Sequence, residues 1–275
     1  MIVFPNAKIN LGLKIRSRLA DGFHSIETVM IPVGLKDVLE IVPSKSPEIR
    51  FRTTGIEVAG SATDNLSFRA ARLMQQRFGL PGMKIHLHKS IPSGAGLGGG
   101  SSDAAFTLSL INRIFALDIA ADMLETLAFS LGSDCPFFIR NTPALATGKG
   151  ENLTPVTLSA LQKMTVLIVK PALHIATAMA YQRVSPDPSP PALAAVIDED
   201  VSLWKTNLVN DFEPALIPLF PEIDKIKKQL YALGAIYASL SGSGAAVYGL
   251  FVGPVADFGD IFKDCFLWQG GLLSI

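Results

Sequence analysis

The stretch Ile91-Pro92-Ser93-Gly94-Ala95-Gly96-Leu97-Gly98-Gly99-Gly100-Ser101-Ser102-Asp103-Ala104-Ala105 places five glycines within seven positions. Glycine loses more backbone freedom on folding than any other residue, so something must offset that cost. A flexible linker would be flanked by polar, flexible sequence. Here Met83 to Lys89 alternates as a strand does, and Ser102 to Leu117 carries a helical pattern. Gly94 to Gly99 matches GxGxxG, but that dinucleotide fingerprint needs an apolar strand before it and an acid about 20 residues on, closing the next strand. The preceding strand instead carries Lys84, His86 and Lys89, and Asp118 follows a helix. The Walker pattern GxxxxGK[ST] is absent. A phosphate cradle of another kind uses every feature of the stretch. Successive small residues let backbone N–H groups close on phosphate oxygens. A helix starting near Ser101 aims its unpaired N–H groups and positive dipole end at the same spot. Ser101 and Ser102 add hydroxyls for phosphate or magnesium, and Asp103 is expected to cap the helix.

Outward from the loop, 275 residues with 49% apolar and 17% charged composition give a sizeable core and exclude a wholly disordered chain. Lysine plus arginine balance aspartate plus glutamate at 24 each, so no basic excess argues for nucleic acid or an anionic membrane. Cys135 and Cys265 are far apart in sequence, which fits a reducing cytoplasm better than a disulfide framework or zinc knuckle. The start of the chain lacks the regions of a signal peptide, and no apolar run reaches the roughly 20 residues of a membrane helix. The expectation is a cytoplasmic protein with a small-molecule substrate and no obligate protein partner.

Asn6 to Lys14 alternates as a half-buried strand, with Lys8 and Asn10 on its polar face. An Asp-Gly turn falls within Arg18–His24, and Ser25 to Val42 and Ile49 to Thr53 read as strands. Asp64 to Phe78 has helical period, with Asp64 as N-cap and Gly79 as its end. Asp122 to Leu131 reads as a further helix, and Phe137–Ile139 and Ala144–Thr147 as short strands. Met164 to Val169 is a strand, Pro186 to Pro191 a loop, and Ile223 to Leu233 a helix. Tyr237 to Phe251 holds two apolar runs around a second glycine turn, Ser241-Gly242-Ser243-Gly244. The irregular alternation predicts an α+β fold, divided into residues 1–155 and 156–275.

Pro92 to Ser102 closely resembles the ATP loop of the GHMP kinases, which include galactokinase and the homoserine, mevalonate and phosphomevalonate kinases. Ala7-Lys8-Ile9-Asn10-Leu11, Asp21-Gly22-Phe23-His24, Leu131-Gly132-Ser133-Asp134-Cys135-Pro136-Phe137-Phe138 and Leu240 to Ala245 extend the resemblance across nearly the whole chain. They are similar to the branch whose acceptor is the 2-hydroxyl of a cytidine diphosphate-linked methylerythritol in isoprenoid precursor synthesis. The resemblance implies an N-terminal ATP-binding domain like domain 2 of ribosomal protein S5 and a ferredoxin-like C-terminal domain, with the active site between them. It implies ATP and Mg2+ as well. The alternatives are a GHMP kinase of the homoserine or mevalonate type and a catalytically silent nucleotide-binding protein on the same fold.

Residue by residue, the resemblance makes Asp134 the base that takes the substrate hydroxyl proton, as a kinase aspartate does; by itself the residue reads as a turn aspartate. It makes Lys8 the cation that meets Asp134 and favours the carboxylate; alone, Lys8 reads as a solvated strand lysine. ATP falls to Pro92, Ser93, Gly94, Ala95, Gly96, Leu97, Gly98, Gly99, Gly100, Ser101 and Ser102, with Asn65 and Lys89 near adenosine and Ser102 as magnesium ligand. Asn65 equally suits a helix cap. Phe23 and His24 fall at the cytidine end, where aromatic faces stack on bases and histidine bonds a base edge. Phe23 stands where the family has tyrosine, which keeps stacking and loses a hydroxyl. Asn10, Thr177 and Gly242 are the remaining substrate residues, although the turn at Gly242 also suits a plain hairpin. His86 and His88 lie two apart on one strand face without a third metal ligand, and a solvated face is the expectation. Cys135 reads as a small buried residue.

Overall fold

The computed structural model describes residues 1–189 and 192–273. Alternation in two segments builds the first sheet. Pairing of β4 (Val38–Pro43) with β6 (Met83–Lys89) sets Leu39 opposite Leu87 and Ile41 opposite Ile85, all buried. With β1 (Ile2–Val3) and β5 (Ile49–Gly55) the order is β1-β4-β6-β5, and β5 runs parallel to β6. Helices α1 (Leu66–Phe78) and α2 (Gly99–Ile114) add Ala70, Met74, Leu108 and Ile111 to this core. Helices α3 (Ala121–Phe129) and α4 (Phe137–Arg140) follow, and Leu124, Leu127 and Cys135 join the same cluster. These elements belong to a compact unit made of Met1–Ala7, Leu35–Ser93 and Gly98–Asn141.

The second unit comprises Lys8–Gly34, Gly94–Leu97 and the described residues from Thr142 onward. Most of the long strands β2 (Asn6–Arg18) and β3 (His24–Lys36) falls in it, joined by a turn with Gly22 at φ 87°. With β7 (Ala144–Gly148) and β8 (Asn152–Pro155) they form a sheet ordered β2-β3-β7-β8. A second, fully antiparallel sheet has the order β10-β11-β9-β12, from β9 (Met164–Lys170), β10 (Tyr237–Leu240), β11 (Val247–Val252) and β12 (Phe266–Gly271). Its helices are α5 (Thr177–Arg183), α6 (Leu193–Ile197), α7 (Trp204–Asn207), α8 (Phe212–Leu216) and α9 (Pro221–Ala232). Leu167, Val169 and Val247 share a core with Phe212, Leu216, Ile223, Ile226 and Leu230. The mixture of helices with mainly antiparallel sheets bears out the α+β expectation.

Four local expectations need correction. The cap of α1 is Asn65, whose side chain accepts from Ser67 N, while the Asp64 carboxylate accepts from Ser61 N and Oγ. Helix α2 starts at Gly99, with Gly98 in the left-handed N-cap position, so Asp103 lies too far along to cap it. Phe137–Arg140 is a helical turn closed by Asn141 at φ 55°, not a strand; an apolar run of three is too short to show a period. Strand β2 is buried on both faces over Asn6–Leu13, because the polar groups of Lys8 and Asn10 find partners inside the fold, in each other, Gly96 and Thr28. Strand β12, with Gly270 and Gly271 in it, carried no sequence signal that stood out. Of the expected loop Pro186–Pro191, the last two residues lie outside the described residues. Among the described residues no helix is long and apolar enough to cross a membrane.

Candidate active site

In the first unit the glycine run opens α2. Gly98 has φ 69° and its carbonyl accepts from Ser102 N at 2.9 Å. N–H groups in a first helical turn have no intrahelical acceptor, so those of Gly99, Gly100 and Ser101 are available to an anion. The two glycines differ in cause. A Cβ on Gly99 would lie 2.8 Å from Ile91 Cγ2, so packing forbids it. Gly100 is exposed and helical, and a Cβ there would meet nothing closer than Leu66 Cδ1 at 3.8 Å. The fold leaves room for a side chain at Gly100. A ligand lying against the backbone is a reason for its absence.

The foot of the loop is a buried ion triad. Lys89 Nζ donates to Asp37 Oδ2 and, at 2.6 Å, to Asp103 Oδ2. The other Asp37 oxygen accepts from Ser90 N and Ile91 N at 2.6 and 2.9 Å. Burial, with the Asp37 charge adding to it against Lys89, pushes the Asp103 carboxyl up to about 7. Its second oxygen is buried without a hydrogen-bond partner, which disfavours the charged form in the same sense. Burial pulls the Lys89 ammonium down, but Asp103 and Asp37 outweigh it and hold it above the ordinary lysine value. Lys89, expected near adenosine, therefore has its charge committed to bracing the loop. Asp37, which completes the brace, was not singled out from sequence; an acid between the apolar strands at Leu35 and Val38 was the available signal.

Asp134 is partly exposed in the turn between α3 and α4. Its neighbour Cys135 is fully buried, and burial pushes the thiol up to about 12. That thiol is no nucleophile at neutral pH, as its reading as a small buried residue required. The Ser102 hydroxyl is buried without a hydrogen-bond partner, which fits a metal or phosphate ligand. Among the described residues no group of three His, Cys, Asp or Glu could hold a metal ion. Magnesium at Ser102 would therefore take most of its shell from phosphates and water.

In the second unit, Lys8, Asn10, Gly96 and Gly242 come together. Lys8 is 3% exposed; its Nζ donates to Asn10 Oδ1 at 2.6 Å and to Gly96 O at 3.0 Å. Gly96 has φ 76°, and a Cβ on it would lie 1.9 Å from Ser241 O. The two glycine turns are thus pressed backbone to backbone. Ser241 Oγ donates to Gly96 O, and Ala246 N to Ala95 O. Gly242, at φ 55°, faces Asn10 Oδ1, which a Cβ there would reach at 3.4 Å. The second turn closes the β10–β11 hairpin and also seats the loop. Lys8 N donates to Leu97 O, tying β2 to it as well. Ala95 and Leu97 are buried, Ser93 and Gly94 exposed, and Pro92 buried in the first unit.

Phe23 is 58% exposed in the β2–β3 turn, which excludes core packing as its purpose. The Lys149 ammonium, paired with Asp21, lies 4.7 Å from its ring centre. His24 stacks on Tyr181 with centroids 4.9 Å apart and planes at 23°. Burial, helped by the Arg18 charge, holds the imidazole below its ordinary value. Tyr181 was missed in the sequence, although it lies four residues after Thr177 and so on the same helical face. Thr177 opens α5, its hydroxyl 3.1 Å from Ser243 Oγ. His86 and His88 both bond Thr54 Oγ1 on a strand face.

Residues 65–142 match the GHMP kinases N terminal domain and residues 192–259 the GHMP kinases C terminal domain. A 4-diphosphocytidyl-2-C-methyl-D-erythritol kinase of Parabacteroides distasonis is 48% identical over 99% of this chain and 100% of its own. That of Bacteroides thetaiotaomicron is 48% identical over 91% and 92%. A crystal structure of 4-(cytidine 5'-diphospho)-2C-methyl-D-erythritol kinase superposes with a TM-score of 0.84 at 33% identity, covering 99% of both chains. Homoserine kinase from Cytophaga hutchinsonii shares the fold, with a TM-score of 0.72 at 17% identity over 97% of this chain and 94% of its own.

Proposed function

Because the chain belongs to the GHMP kinases, and within them to the 4-diphosphocytidyl-2-C-methyl-D-erythritol kinases, we propose that it transfers the γ-phosphate of ATP to the 2-hydroxyl of that cytidine compound, in isoprenoid precursor synthesis. The observation that carries the nucleotide reading is Gly100, an exposed helical glycine that the protein's own packing does not require. Its N–H group and those of Gly99 and Ser101 donate to phosphate oxygens, with the rest of Pro92–Ser102 shaping the cradle. Asn65 and the Lys89 segment flank the adenosine.

Asp134 accepts the proton of the acceptor hydroxyl as its oxygen bonds to the γ-phosphorus and ADP departs. Lys8 is its electrostatic partner and offsets negative charge building on the transferring group. Little covalent chemistry falls to the protein, so positioning dominates, and the hydrogen bonds from Lys8 to Asn10 and Gly96 O serve that end. Magnesium, held by Ser102 together with the phosphates, would supply further charge neutralisation. At the other end of the substrate the cytosine stacks on Phe23 and is read by His24 in its neutral form, which the depressed imidazole favours. Thr177 and the backbone at Gly242 border the methylerythritol. Phosphorus NMR of the product tests the assignment: a new phosphomonoester on carbon 2, one per ADP formed, supports it. A phosphate on another hydroxyl, or ADP without a new ester, refutes it.

A further inference from the structure

The reading above gives Asn10 to the substrate, yet both ends of its amide are already engaged inside the protein. Its Oδ1 accepts from Lys8 Nζ at 2.6 Å and its Nδ2 donates to Thr28 Oγ1 at 3.0 Å. Thr28 is fully buried, and its hydroxyl donates to Gly12 O at 2.6 Å. The direction of this chain has no freedom. A carbonyl only accepts, so Thr28 must spend its single proton on Gly12 and present a lone pair to Asn10. Asn10 must then turn its NH2 to Thr28 and its oxygen to Lys8. An ammonium only donates, so Lys8 demands the same orientation from the other end. Tyr248, buried behind β2, fixes the backbone of the relay by donating to Asn10 O at 2.7 Å.

The geometry points to Thr28 as a positioning residue for phosphoryl transfer, acting through the Asn10 amide to hold the Lys8 ammonium against Gly96 O. This inference rests on the catalytic reading of Lys8. Thr28 never touches substrate; it fixes the rotation of an amide that would otherwise be anchored only at its lysine end. Asn10 is accordingly a spacer between Thr28 and Lys8 before it is a substrate ligand.

Thr28→Val keeps the shape and removes the hydroxyl. With Lys8 less well placed, kcat falls by roughly tenfold to a hundredfold, the scale of misplacements of about an ångström, while KM for ATP stays within about twofold. Thr28→Ser restores most of the rate. In an Asn10→Leu background, adding Thr28→Val lowers kcat no further, because the link it acts through is gone. A general loss of packing would instead lower both backgrounds alike. Thermal melts of each variant set an assay temperature at which all are folded, and Thr28→Ala replaces Thr28→Val if the valine variant does not fold. Parent-like kcat in Thr28→Val, or an equal further fall in the Asn10→Leu background, overturns the relay while Lys8→Met is inactive. Full turnover by Lys8→Met overturns the catalytic reading of Lys8 itself, and the relay's function with it.

Discussion

Gly100→Ala separates what the fold needs from what a ligand needs. The added Cβ meets no heavy atom closer than 3.8 Å, and the backbone is already helical. Replacing a helical glycine by alanine stabilises by about 0.5–1 kcal/mol, so the free protein should melt higher by about 2 °C. The same methyl stands over the first turn of α2, where the phosphates are placed. Loss of one charge-assisted hydrogen bond costs about 1.5–3 kcal/mol, which weakens ATP about tenfold to a hundredfold. Gly96→Ala is the contrast. Its Cβ would fall 1.9 Å from Ser241 O at a positive φ, so backbone must retreat by about an ångström in a close-packed interior and the melt drops. Differential scanning calorimetry and ATP titration calorimetry on the three proteins read both effects. A Gly100→Ala protein that is more stable and binds ATP as tightly as the parent would refute the inference from an unneeded glycine to a phosphate.

Two further outcomes follow from charges. Asp37→Asn leaves Lys89 with one carboxylate instead of two and disturbs the acceptor for Ser90 N and Ile91 N; breaking such a buried pair costs about 3 kcal/mol or more. Urea unfolding should show the loss, and an unchanged midpoint would contradict the bracing role. His24 is held below its ordinary 6.5 in the fold, so below that pH the unfolded chain binds the proton more readily. Its contribution to stability is complete above about pH 6.5 and is lost as pH falls through the folded value. His24→Asn should flatten the acid side of a midpoint-against-pH curve, and an identical slope in both proteins would count against the assignment.

The legible parts of this fold were those with a local cause. The alternation of Met83–Lys89 and the left-handed stop at Gly79 stand where their patterns placed them. The glycine loop announced its helix within two residues of the true start. What escaped depends on partners distant in sequence. Lys8 and Asn10 look solvent-facing in an alternating strand until Thr28 and Gly96 are brought against them. Asp103 looks like a cap until Lys89 claims it. Tyr181 stacks on a histidine 157 positions earlier in the chain, His24, and meets Phe212 edge-on, both partners distant in sequence. The glycines show the same division: Gly96 is explained by a backbone contact with Ser241 that no local reading could supply, whereas Gly100 still asks for a ligand.

The central claim is that this chain is a kinase for one cytidine-linked alcohol, with Asp134 as its base. ADP release with magnesium and ATP, measured for the parent and Asp134→Asn against diphosphocytidyl-methylerythritol, homoserine, mevalonate and buffer, tests it most directly. Turnover with the cytidine compound alone, abolished in Asp134→Asn, is the expected result. Turnover with homoserine or mevalonate in its place, or an Asp134→Asn variant as active as the parent, would contradict the account.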